Sequence, residues 1–196
     1  MPEEKRRKPS RTVEVRMGIP PPGGYRDFNL SRNIKFQEFF ISQRGEFLNA
    51  SVEAENQLVF AIQVTLSQEA TDASLFKTIV LDRLTFRQKI EVLAELLKNV
   101  PKLQTLSTNY NKLPKHLHSL NTIRNKYAHG KLFFREDTPY LEFFRGKMRE
   151  EAISQERIRA DLRQVGKYKE ELSSFAHDLL ALTGSKGQTK RKAGDS

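Results

Sequence analysis

The stretch PKHLHSLNTIRNKYAHG, residues 114–130, decides how this chain reads. Proline suits the first turn of a helix, where its missing amide would lack a partner anyway, and glycine suits the far end. Between them Leu117, Leu120, Ile123 and Tyr127 recur at helical spacing, so the segment predicts a helix with one apolar face. Directly after it come LFFRE (132–136) and YLEFFR (140–145), on either side of Asp137, Thr138 and Pro139. Both runs are aromatic-rich and too short for helices, which predicts a β-hairpin whose aromatics pack the sheet against a helical body.

Working outward, Thr85 and Gln88 have capping-box spacing, and Phe86, Ile90, Leu93, Leu97 and Val100 keep a regular stripe until Pro101, so a helix fills that interval. Further upstream, Leu48, Val52, Val59, Ile62 and Leu66 define the apolar face of a long helix over about 43–67, with the acid Glu55 misplaced on that face. Downstream, Ile158, Leu162, Val165, Leu172, Phe175 and Leu179 repeat at near-heptad spacing in a final helix over about 154–182, with Gly184 as its stop. The fold expected is mainly α, an antiparallel helical bundle with a small β-hairpin inserted before the last long helix. The IPPPGG run at 19–24 holds neither helix nor strand. A disordered basic tail and Pro/Gly linker (1–24), a helical domain (25–182) and a disordered basic tail (183–196) follow from this pattern.

The 196 residues carry 34 Lys and Arg against 24 Asp and Glu, a net charge of +10, which points to a polyanionic partner. Residues 1–16 and 183–196 each contribute +3, so much of the basicity lies at the ends. With no cysteine there is no disulfide framework, thiolate metal site or cysteine nucleophile. No apolar run is long enough to span a bilayer, and a cytoplasmic protein is the expectation.

Eight basic residues and no acid occupy 96–135, among them Lys112, Lys115, Lys126 and Lys131, which are the cations expected to meet a polyanion such as a nucleic acid. At 100° per residue Arg124 falls within the apolar stripe of its helix, so it needs an anionic partner or a ligand. Glu55 is the candidate partner. His118, Thr122, Asn125 and His129 form a second, uncharged polar strip. At the helix end the macrodipole favours a charged His129 and nearby cations oppose it, a balance suited to proton transfer near neutrality. His116 and His118 diverge by about 200° on a helix, and no metal or other cofactor is expected.

The segment Ile123-Arg124-Asn125-Lys126-Tyr127-Ala128-His129-Gly130 resembles the Arg-x4-His signature of HEPN domains, in which a polar residue often follows the Arg, near the end of a late helix in a bundle. The resemblance implies a metal-independent endoribonuclease of a defence or toxin system, acting as a homodimer whose site is a composite of both motifs. By that implication Arg124 stabilises the scissile phosphate, His129 exchanges protons with the ribose 2′-hydroxyl and the leaving oxygen, and Asn125 assists. Tyr127 and Glu55 take supporting places, the product is a 2′,3′-cyclic phosphate, and a regulatory or antitoxin protein is a further partner. Some toxins of this kind carry a modifiable Tyr two residues after the His; Lys131 stands there. The same residues also fit a non-catalytic RNA- or nucleotide-binding module, or a structural subunit of a larger assembly.

Overall fold

The computed structural model describes residues 30–66 and 70–189. Six helices are present among these residues: α1 (Leu30–Leu66), α2 (Ala70–Ile79), α3 (Phe86–Asn99), α4 (Gln104–Asn109), α5 (Leu113–His129) and α6 (Gln155–Thr189). Strands β1 (Lys131–Arg135), β2 (Thr138–Phe144) and β3 (Met148–Ala152) form one antiparallel sheet in that order, between α5 and α6. The mainly helical fold with a small sheet before the last long helix is the one expected, although the sheet has three strands rather than two.

Local chemistry places the boundaries. Thr85 Oγ1 accepts from the Gln88 amide at 3.3 Å while the Gln88 side chain accepts from the Thr85 amide at 2.9 Å, the capping box that starts α3. Pro101 follows its end, and Pro114 lies in the first turn of α5. Ser154 starts α6, its Oγ accepting from the Arg157 amide at 3.1 Å. That helix then runs through Gly184 to Thr189, so the expected stop at Gly184 is corrected. Glycine lowers helix propensity without forbidding the conformation, and the part of the expected tail from 183 to 189 is helical. The expected tails at 1–24 and 190–196 lie outside the described residues.

The core joins α1, α3, α5 and α6. Phe47 of α1 stacks on Tyr127 of α5 with ring centroids 4.0 Å apart and planes 6° from parallel. Leu58, Ile62, Ile90, Leu93, Leu117, Leu120, Leu172 and Phe175 are buried in the same core. The face α1 turns inward is the expected one only in part: Val59 and Ile62 are buried as expected. Val52 and Leu66 are 57% and 45% exposed, whereas Phe40, Phe47, Ser51, Ala54, Leu58 and Thr65 are buried. Small residues permit close helix packing, and the buried hydroxyls of Ser51 and Thr65 donate to the carbonyls of Phe47 and Ala61, four residues back. The stripe from Leu48 to Leu66 therefore mis-centres this face.

In the sheet, Leu132 pairs with Leu141 and Phe133 with Tyr140. The rings of the latter pair stack 5.7 Å apart beneath the Arg135 guanidinium. Phe134 meets Phe36 of α1 edge-on at 6.2 Å, so the aromatics do hold sheet to helix. The β1–β2 turn is Glu136-Asp137, both at positive φ (48° and 65°), the geometry of a two-residue hairpin whose twist matches the strands. Strand β3, MREEA, has no apolar run to reveal it, and its charges suit an exposed sheet edge.

Candidate functional site

Helix α5 carries every residue of the Arg-x4-His segment, and its environment divides them into two groups. Lys126 and Tyr127 point inward. The Tyr127 hydroxyl donates to Asp161 Oδ2 at 2.8 Å, and Lys126 Nζ reaches the same oxygen at 3.2 Å and also pairs with Glu151 of β3. Arg157 adds a contact to the other Asp161 oxygen at 3.2 Å. Desolvation, with the Asp161 charge and hydrogen bond second, pushes the Tyr127 phenol far above its ordinary range. Tyr127 thus supports the site as a buried anchor. Lys126, only 8% exposed, is corrected from an RNA-contacting cation to one member of a lock joining α5, β3 and α6.

Arg124, Asn125 and His129 remain on the outer part of α5. Arg124 and Asn125 are half-buried and His129 is exposed. Arg124 Nη1 donates to Asn125 Oδ1 at 3.1 Å, and among the described residues no carboxylate pairs with it. The expected Glu55–Arg124 contact is corrected. Glu55 Oε1 accepts from Lys89 of α3 at 2.5 Å, because α3 rather than the motif packs beside that part of α1. Within α5, Arg124 and His129 are separated by about 140° around the axis and about 7.5 Å along it. One helix alone does not converge them on a single atom.

Two features at the end of α5 were not legible in the sequence. Arg44 of α1 donates through Nη2 to the Ala128 carbonyl, satisfying one of the acceptors every helix leaves open at its C-terminus. Its guanidinium is thereby fixed beside the motif, from 84 residues away in the chain. Gly130 has φ −70° and ψ 142°, so it is not there for left-handed backbone. A Cβ at that position meets the Lys126 carbonyl and lies 2.8 Å from Leu141 Cδ1. Glycine is required because the Lys126 carbonyl of the last helical turn, and after it Leu141 of β2, leave no room for a Cβ at this corner.

The remaining expected cations disperse. Lys131 is exposed at the start of β1, next to the motif. Lys112 and Lys115 are exposed at the opposite end of α5, about 21–26 Å from His129 by helical rise. His116 lies away from the polar strip: its Nδ1 is 2.6 Å from Glu171 Oε2 and its ring stacks on Tyr168 at 4.8 Å. Among the described residues there is no cluster of His, Asp and Glu that fits a metal ion, and no helix is long and apolar enough to cross a membrane. A cleft of about 550 Å³ opens elsewhere, between the start of α1, the β1–β2 turn and the start of α6, lined by Arg32, Phe36, Phe134 and Asp137 among others. It contains none of the motif residues. Comparison with family models, curated proteins and solved structures finds none that matches this chain.

Proposed function

We propose that this protein is a metal-independent endoribonuclease of the HEPN kind, belonging to a defence or toxin system and working as a homodimer. The observation that carries the reading is the division within α5. Lys126 and Tyr127 are consumed by the fold, while Arg124, Asn125 and His129 face outward, the arginine without a carboxylate. A half-buried guanidinium whose side-chain partner among the described residues is a neutral amide retains charge for a phosphate. Lys131 and Arg44 add cations at the same end of the helix.

In the proposed reaction the ribose 2′-oxygen attacks the adjacent phosphorus. The 2′-O–P bond forms as the P–O5′ bond breaks. One imidazole takes the 2′-hydroxyl proton and another gives a proton to the departing 5′-oxygen, leaving a 2′,3′-cyclic phosphate. Arg124 neutralises the charge that grows on the non-bridging oxygens. Asn125, whose Oδ1 is occupied by Arg124, orients the guanidinium. Two imidazoles on opposite sides of one phosphate require two chains, since each chain offers a single exposed histidine in the motif.

The test is cleavage of RNA in EDTA by purified protein, with Arg124→Ala and His129→Ala beside it. Both variants lose cleavage while keeping the wild-type circular dichroism, because neither side chain belongs to the buried core. Undiminished cleavage by both variants removes this reading.

A further inference from the structure

We propose that the outward face of α1 packs against the same face of a second copy of this chain, antiparallel, about a two-fold axis beside Gln43. Its functional consequence rests on the ribonuclease reading above; the surface itself is read from α1 alone. Ile34, Ile41 and Val52 are 46%, 59% and 57% exposed. At 100° per residue they fall within about 20° of one line along the helix, a stripe about 27 Å long. From residue 34 to 56, Glu38 is the single charged side chain within about 50° of that line, in a chain of which 30% is charged. Depletion of charge around apolar side chains marks the centre of an interface.

Gly45 lies on the same line. It is mid-helix, and a Cβ there meets nothing within 4 Å, so nothing among the described residues calls for a glycine, which weakens a helix interior. A second copy supplies the reason. In the antiparallel pairing about Gln43, Ile41 stands opposite the partner's Gly45 and Ile34 opposite the partner's Val52, each contact occurring twice, as a two-fold interface demands. A large side chain then enters the gap a missing one leaves.

The flanking charges agree. Lys35 and Glu53 both lie about 100° from the stripe on one side, the position that flanks a helix-pair seam. The pairing brings Lys35 to within about 3 Å of axial register with the partner's Glu53. Among the described residues Lys35 has no ion pair, and Glu53, already paired with Lys169 at 2.6 Å, keeps 57% of its side chain exposed for a second cation.

This arrangement also answers the separation of Arg124 from His129. Arg44 is one residue from the proposed axis and holds the Ala128 carbonyl, so the end of α5 lies beside the axis, to one side of the stripe. A two-fold axis that relates antiparallel neighbours keeps that side the same for both. Both Ala128–His129 ends therefore emerge together, where one RNA backbone meets two motifs. Two Arg44 guanidinium groups flank the axis there and repel each other until a polyanion lies between them, so RNA tightens the dimer.

Sedimentation velocity of the full chain, alone and with a 2′-O-methyl RNA oligonucleotide that resists cleavage, tests the surface. Dimer is expected, tighter with the RNA. Ile41→Lys and Val52→Lys are exposed changes that leave the circular dichroism and thermal melt intact, and each weakens association by 100-fold or more. Gly45→Gln gives opposite signs, a more stable fold and a weaker dimer. Because the chain has no cysteine, oxidative cross-linking of mixed Ile41→Cys and Gly45→Cys proteins reads the register directly, and the mixture links faster than either protein alone. Wild-type protein that is monomeric in both conditions overturns the proposal, as does a dimer indifferent to Ile41→Lys and Val52→Lys. A dimer that responds as described but cuts no RNA upholds the surface and removes the ribonuclease reading, whereas RNA cleavage by a monomer removes the surface and the two-chain site together and leaves only a nuclease contained in one chain.

Discussion

Asp161 is the residue whose loss tests most directly how the motif is held. It is 4% exposed and accepts from the fully buried Tyr127 and from Lys126, itself 8% exposed. Truncation to alanine leaves the Tyr127 hydroxyl without its acceptor, at a cost of about 1–3 kcal/mol. It also breaks one of the two pairs of Lys126. Removing one partner of a fully buried pair costs about 3–5 kcal/mol, and here Glu151, whose side chain is 39% exposed, still holds the ammonium, so part of that penalty is spared. A total near 4 kcal/mol follows, equivalent to a melting temperature lower by about 8–16 °C in a chain of this size. Tyr127→Phe, which loses only the hydrogen bond to a charged acceptor, costs about 1.5–3 kcal/mol. Replacing the set together, as Lys126→Met, Tyr127→Phe and Asp161→Leu, recovers most of the loss because the charges that lose a partner, Glu151 and Arg157, have side chains 39% and 63% exposed to water. Urea unfolding followed by circular dichroism measures all three proteins. A loss below about 1 kcal/mol for Asp161→Ala refutes the lock, and with it the assignment of Lys126 to the fold rather than to RNA.

Gly130→Ala forces a Cβ against the Lys126 carbonyl and Leu141, and overpacking of this kind costs about 1–3 kcal/mol; a denaturation midpoint equal to wild type refutes the crowding. A double-mutant cycle of Glu55→Gln with Lys89→Met shows coupling, whereas Glu55→Gln with Arg124→Ala is additive within about 0.5 kcal/mol, as read by urea unfolding. Burial, then the hydrogen bond to Asp178 and its charge, push the Tyr110 phenol from 10.0 up to about 12. The unfolded chain therefore ionises first: the contribution of Tyr110 is complete below pH 10 and is lost as pH rises through about 12. The stability difference between wild type and Tyr110→Phe should shrink across that interval, and a difference that stays constant refutes the shift.

The sequence by itself determined the elements whose signals are local. The Thr85–Gln88 capping box, Pro101, Pro114 and the Leu117–Leu120–Tyr127 stripe all act within one or two helical turns, and each reappears at its expected place. The residues for the proposed chemistry were likewise legible, because the Arg124-to-His129 spacing is a property of one helix. What surrounds them was not. Whether a lysine faces RNA or a buried carboxylate depends on which strand and helix close over it, and Lys126 meets Glu151 and Asp161, 25 and 35 positions away. The inward face of α1 was misread in part for the same reason: Val59 and Ile62 are buried as expected, but the close contacts also use Ser51, Ala54 and Thr65, which carry little hydrophobic signal of their own. Burial, partnership and the approach of Arg44 to Ala128 are relations between distant segments, and the packed chain alone decides them, since each depends on which surfaces exclude water from one another.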